Sequence, residues 1–218
     1  MEPSFWHQKW ESKQIGFHQD QVNPFLVKYW ASVKADPRQS VFVPLCGKSL
    51  DMCYLAEQGH RVIGCELNLT AVKDFFVENQ LSYQTHQHGE HTVLEDDTIS
   101  LYQGDIFTLP PEATQHIGSF YDRAALIAWP DDLRQQYAAK LAQLIPAGTS
   151  GLLVTLDYPQ AELNGPPFAV SPQWIEQYLA THFDVELLTC EDVLAENPRF
   201  VNKQVSWLNE AVYRLTRK

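Results

Sequence analysis

The chain has 218 residues, 44% hydrophobic and 20% charged, which suits one well-packed globular domain and is too apolar for disorder. Its formal net charge of −11 argues against nucleic acid as a partner, because binding a phosphate backbone needs a cationic face. No apolar run approaches the ~20 residues that span a bilayer, and the opening MEPSFWHQKW has neither the basic nor the apolar region of a secretory signal. The four cysteines, Cys46, Cys53, Cys65 and Cys190, show neither CxxC spacing nor the density of a disulfide scaffold. Most sit beside apolar residues, so they read as buried thiols of a reducing compartment, and a cytoplasmic location is expected.

In chain order, Ser4 to Glu11 predicts a short aromatic helix with Ser4 as its cap. A second helix starts near Asn23 with Pro24 at its first position. Phe25, Leu26, Tyr29, Trp30 and Val33 form one face, and Asp36-Pro37 ends it. Ser40 to Pro44 reads as a buried strand and Leu45 to Ser49 as a turn, with a helix from Leu50 to Gln58 stopped at Gly59. Arg61 to Glu66 is a second strand and Thr70 to Gln80 a further helix. Leu81 to Asp97 is either irregular or a short hairpin. Strands follow near Ile99 to Gln103 and Ser119 to Asp122. A helix over Asp132 to Leu144 places Leu133, Tyr137, Leu141 and Leu144 on one side. Gly151 to Asp157 is an apolar strand, Ser171 to Ala180 a helix, and Asp184 to Leu188 and Ala211 to Thr216 are the last two strands. This alternation implies an α/β fold, a largely parallel sheet with helices on both faces.

In such a sheet, ligands gather outside the carboxyl ends of the strands near the topological switch point. The turn after the first strand holds Gly47, which permits close backbone approach, and the next helix offers unpaired N–H donors. Glu66 closes the second strand 19 residues later (66 − 47), the separation at which an acid commonly meets ribose hydroxyls. A bare tight turn accounts for Gly47 alone, and a solvated strand end for Glu66 alone; the joint spacing points to a nucleoside. The turn has one glycine where the dinucleotide fingerprint has three, so a pyrophosphate has no seat and a phosphate-free nucleoside such as S-adenosylmethionine fits. Asp105 and Ile106, after the third strand, are placed to meet an adenine by a polar group and an apolar side chain. Asp122-Arg123, after the fourth, either borders the reacting end or forms a buried ion pair.

The string Val43 to Met52 (VPLCGKSLDM) followed by Gln58 to Glu66 (QGHRVIGCE) resembles the thiopurine S-methyltransferase family, most closely its bacterial branch. Phe5 to Trp10 (FWHQKW), Tyr121 to Leu126 (YDRAAL) and Gly165 to Phe168 (GPPF) carry the same likeness, which runs the length of the chain. Cys65 and Tyr54 stand where many relatives have valine and tryptophan, and neither change removes an implied contact. The resemblance implies a Rossmann-like class I methyltransferase fold. It also implies adenosylmethionine contacts from Trp10, Leu45, Glu66 and Arg123, and adenine contacts from the segment of Asp105 and Ile106. The implied activity is methyl transfer to the sulfur of aromatic or heterocyclic thiols such as thiopurines, with selenium and tellurium compounds as further acceptors.

Methyl transfer from a sulfonium is an in-line displacement in which alignment and exclusion of water are the protein's part. A thiolate is accessible near neutral pH, so no side chain is assigned as a covalent catalyst. The expected architecture is one domain over residues 1–218, with residues 1–35 as a helical lid, acting as a monomer. Trp10 is either part of that lid or packed with Trp6. Phe17 is an expected aromatic wall for a planar acceptor. Asp20 is an acceptor-side carboxylate or a solvated one, and Arg199 an acceptor-side cation or a solvated one. His86, His88 and His91 beside Glu90 sit in a polar run, and no metal is assigned. The competing readings are a nicotinamide oxidoreductase, disfavoured by the missing glycines, a methyltransferase for another small nucleophile, and a non-catalytic nucleoside-binding module.

Overall fold

A computed structural model describes residues 2–218. A nine-stranded sheet runs through the molecule in the order β3-β4-β5-β2-β1-β6-β7-β9-β8. Its strands are β1 (Ser40–Pro44), β2 (Val62–Glu66), β3 (Gln84–His88), β4 (His91–Glu95), β5 (Ile99–Gln103), β6 (Ile117–Arg123), β7 (Ser150–Asp157), β8 (Phe183–Asp192) and β9 (Asn209–Arg217). The central five, β5-β2-β1-β6-β7, are parallel, and both flanks are antiparallel. The chain moves outward from β1 through β2 to β5, then returns to the other side of β1 as β6. The switch point therefore lies between β1 and β6.

Strand alternation divides the core into two layers. Val41 and Val43 of β1 and Tyr121 of β6 face helices α2 (Pro24–Val33), α3 (Asp51–Glu57) and α4 (Leu69–Glu78), where Leu26, Met52, Leu55, Phe75 and Phe76 are fully buried. Phe42 and Phe120 face the opposite layer, built on α5 (Asp131–Leu144) and on α6 (Pro172–Trp174), which widens into a π-helical turn over Ile175–Leu179. Burying a side chain of this size contributes about 1.5–3 kcal/mol, so these two layers fix the sheet and with it the strand ends.

Helix starts follow their caps. Asn23 accepts N–H bonds from Phe25 and Leu26 ahead of α2, and Asn68 accepts from Thr70 and Ala71 ahead of α4. Helix α1 (Pro3–Glu11) departs from expectation: it begins at Pro3, so Ser4 lies inside it and is no cap. Proline's fixed φ starts the helix one residue early. Helix α2 also ends before Asp36-Pro37, because Lys34 turns left-handed at φ 54°. The ambiguous stretch after α4 is a hairpin, β3 pairing antiparallel with β4 and β4 with β5. All four cysteines are free, but only Cys46 and Cys65 are buried; Cys53 is partly exposed and Cys190 exposed. Among the described residues no helix is long and apolar enough to cross a membrane.

Candidate active site

A cavity of about 810 Å³ opens at the carboxyl ends of the parallel strands. That volume lies inside the range of small-molecule sites. Both strands at the switch point end in a non-glycine residue with positive φ: Leu45 after β1 at 45° and Ala124 after β6 at 64°. Each such residue costs on the order of 1 kcal/mol and turns the chain sharply, bringing backbone to the cavity wall.

The β1–β2 side is tightly built. Glu66 is 7% exposed and accepts the Gly47 N–H at 2.9 Å through Oε2 and the Asn68 N–H at 2.7 Å through Oε1. The acid thus ties the end of its own strand to the turn after β1. Glu66 also lines the cavity, and a carboxylate has acceptor capacity beyond these bonds with which to receive hydroxyl donors. Burial pushes the Glu66 carboxyl up to about 7, while the backbone N–H bonds from Asn68 and Gly47 work against that rise. Gly47 has φ 54°, and a Cβ there would stand 3.3 Å from the Trp10 ring. Its glycine therefore meets two demands, the left-handed turn and close approach of an aromatic ring.

The turn after β5 is set from below by His91, whose ring leaves no room for a Cβ on Gly104. His91 Nε2 lies 3.1 Å from the Asp105 carbonyl oxygen. Asp105 Oδ1 accepts the Phe107 N–H at 2.9 Å, capping the 3-10 turn Ile106–Thr108 and leaving Asp105 and Ile106 on the cavity wall. The other histidines go elsewhere. His86 pairs with Glu95 at 3.4 Å on the exposed hairpin, and His88 packs edge-on to Tyr102. Among the described residues no group of three or more His, Cys, Asp or Glu side chains is placed to hold a metal ion.

Asp122 and Arg123, neighbours in β6, face opposite layers and do not form an ion pair. Asp122 is fully buried, accepting the Tyr137 hydroxyl at 2.6 Å and the Leu126 N–H at 3.1 Å; burial raises its carboxyl to about 6. Arg123 turns into the cavity instead. The alternation of side chains along a strand rules out the pair that adjacency in sequence suggested.

The N-terminal segment arches over this edge, fastened at both ends. His7 on α1 lies 3.0 Å from the Asn68 amide, and the Asn23 N–H donates to Asp51 at 2.7 Å. Trp6 and Trp10 each meet Phe17 edge-on, at 5.8 and 5.6 Å between centroids, so Phe17 stands between the two tryptophans, and all three line the cavity. Arg199 lines the far rim, with Nη2 donating to the Pro166 carbonyl at 2.7 Å. Asp20 is exposed and lies outside the lining, where its neighbour Gln19 takes part. Sequence reasoning passed over Trp129, Thr155 and Glu210, which also line the cavity. None sits in a glycine-rich turn or at the expected spacing from one, so no local signal marked them.

Three buried polar atoms of the lining, Trp6 Nε1, Trp129 Nε1 and Thr155 Oγ1, have no partner within the protein. Such atoms cost about 1–3 kcal/mol each unless something else satisfies them. A polar, phosphate-free nucleoside fits these residues: acceptors for indole N–H groups, hydroxyls for Glu66, and an apolar wall at Ile106.

Comparison with known proteins agrees with this geometry. The family model described as thiopurine S-methyltransferase matches residues 1–218. The chain is 67% identical to a thiopurine S-methyltransferase of Shewanella frigidimarina and 63% identical to one of Shewanella sp. strain MR-4, covering all of both chains in each case. Among solved structures it is similar to an S-adenosylmethionine-dependent methyltransferase of Anabaena variabilis, with TM-score 0.67, 15% identity, and 99% of this chain and 95% of that one covered. A Burkholderia thailandensis 1,6-didemethyltoxoflavin N1-methyltransferase, solved with S-adenosylhomocysteine, gives TM-score 0.62 at 17% identity over 98% of this chain and 87% of that one. The fold is that of these methyltransferases, and the chain belongs to the thiopurine S-methyltransferase family.

Proposed function

We propose that this chain is an S-adenosylmethionine-dependent methyltransferase acting on the sulfur of aromatic or heterocyclic thiols, thiopurines among them. The observation that carries the reading is Glu66, a buried acid at the end of β2, bound to the turn of Gly47 and still open to the cavity. Membership of the family supports the reaction type. Glu66 holds the ribose hydroxyls, Asp105 and Ile106 flank the adenine, and Leu45 and Trp10 cover the sugar and methionine parts. The cofactor supplies a methyl group already activated on a sulfonium.

The chain's own work is alignment. Arg123 and Arg199 place two positive groups at the rim nearer β6 and β7, which favours an acceptor in its thiolate form. Phe17 and the tryptophans that meet it edge-on form an aromatic wall and keep water from the reacting sulfur. No side chain is assigned as a nucleophile. Residues 1–35 act as a lid over a single domain. The protein is read as a cytoplasmic monomer with no nucleic-acid partner, on its free thiols and net charge of −11. Incubating purified protein with labelled S-adenosylmethionine and 6-mercaptopurine tests the reading. Labelled S-methyl product is expected; retention of the cofactor without product for any aromatic thiol would leave only a nucleoside-binding module.

A further inference from the structure

Among the described residues, Glu210 is the one carboxylate lining the acceptor end of the cavity, and it comes from β9, far along the chain from every cofactor contact. Register fixes its direction. Arg123 pairs with Val154 on β7, Val154 with Val212 on β9, and Glu210 lies two residues from Val212. Alternation by two puts Arg123, Val154, Val212 and Glu210 on one face of the sheet. Arg123 and Glu210 stand two strands apart, roughly 10 Å in backbone spacing. Two long side chains across that gap can grip opposite edges of one flat ring system.

Glu210 lines the cavity, and neither a hydrogen bond nor an ion pair within the protein engages its carboxylate among the described residues. Burial raises its carboxyl, the Arg123 charge opposes that, and Glu191 and Glu196 add to the rise. Glu191 sits opposite it on β8, and the donors on that side, Lys28 at 3.4 Å and the Thr189 hydroxyl at 3.1 Å, are held by Glu191. A partly buried acid with idle lone pairs in a binding cavity asks for a donor from the ligand.

Resting on the function proposed above, we infer that Glu210 determines acceptor specificity by accepting a ring N–H of a heteroaromatic thione or thiol. The contact selects acceptors carrying an N–H remote from the sulfur over simple aryl thiols. With the acceptor in its thiolate form, accepting that hydrogen bond also pushes electron density through the ring toward the sulfur, which bonds the methyl carbon as the sulfonium bond breaks and S-adenosylhomocysteine leaves. Glu210 makes no bond to the transferred group.

The test compares two acceptors, 6-mercaptopurine and thiophenol, the latter having no ring N–H, in wild type, Glu210→Gln and Glu210→Leu. For 6-mercaptopurine, kcat/KM should fall roughly tenfold in the Gln variant and roughly 100-fold in the Leu variant, mainly through KM. For thiophenol it should stay level or rise slightly, and calorimetric affinity for S-adenosylhomocysteine should not change. An equal fall with both acceptors, or none with either, overturns the assignment. If wild type methylates neither compound, the function above fails. Calorimetric binding of the same two compounds with S-adenosylhomocysteine present then decides Glu210 separately: a loss confined to 6-mercaptopurine upholds it, and equal binding across the variants overturns it.

Discussion

The two halves of the cavity are built in opposite ways. At the ends of β1 and β2 the polar groups are already engaged: Glu66 holds the Gly47 and Asn68 N–H groups, and Trp10 rests on Gly47. At the ends of β6, β7 and β9, Arg123 and Glu210 make no side-chain hydrogen bond or ion pair among the described residues, and the Thr155 hydroxyl is buried without a partner. A pre-organised half loses little freedom on binding and suits a ligand that never varies. A half with idle donors and acceptors draws its energy from the guest and can discriminate among guests. The division matches a reaction with one methyl donor and a class of acceptors.

The largest effect should come from the idle half. Arg123→Ala removes a cavity cation with no substitute on its strand, and kcat/KM for methyl transfer should fall about 100-fold, or roughly 3 kcal/mol. Circular dichroism should be unchanged; steady-state kinetics equal to wild type would remove Arg123 from the site. In the engaged half, Glu66→Ala should weaken cofactor binding by about 1–3 kcal/mol in calorimetry. It should also lower Tm, because two backbone N–H groups lose their acceptor. A stability loss with full affinity would mean that Glu66 is only a brace.

The same acid gives the engaged half a pH signature. Its folded carboxyl stands at about 7 against 4.5 for the free group, so the empty protein holds this proton more tightly than the unfolded chain does. The stability it contributes is complete below about 4.5 and is lost as pH rises through about 7. Hydroxyl donors favour the ionised form, so cofactor binding should expel the proton. The dissociation constant should drop by up to about tenfold per unit as pH climbs toward 7 and then level. Calorimetry in two buffers of different ionisation enthalpy measures the released proton; a flat profile from pH 5.5 to 8 contradicts it.

Gly47→Ala sharpens the comparison at a smaller scale. Its left-handed φ costs about 1–2 kcal/mol for any other residue, and the Trp10 ring must give by a few tenths of an ångström to admit the new methyl group. Thermal melts should show that loss, and cofactor affinity should weaken several-fold. Asp20→Ala should do least, leaving kinetics within about twofold, since the side chain lies in solvent outside the lining. A tenfold loss would place Asp20 in the catalytic assembly.

Legibility in the sequence followed the same division. The engaged half lies in one βαβ unit, where the turn of Gly47 and the acid 19 residues on are fixed by local geometry. The β3–β4 hairpin was harder to read, because β3 is an exposed, polar edge strand with no apolar alternation. Its His91 is a buried support under Gly104, although it belongs to a polar run of histidines. The Asp122–Arg123 pair also misled: adjacent residues in a strand point to opposite layers, and only knowing that β6 is central and covered on both faces separates their roles.

By itself, then, the sequence determined the alternating α/β fold, the switch-point turn and the acid beside it, since periodicity and short-range spacing are properties of contiguous chain. The tertiary structure alone decided that Trp129, Thr155, Arg199 and Glu210 share one cavity with Arg123, and that Asp20 does not. Strand order and register bring residues almost ninety positions apart onto one face, and no local pattern encodes a register set by packing across the whole sheet.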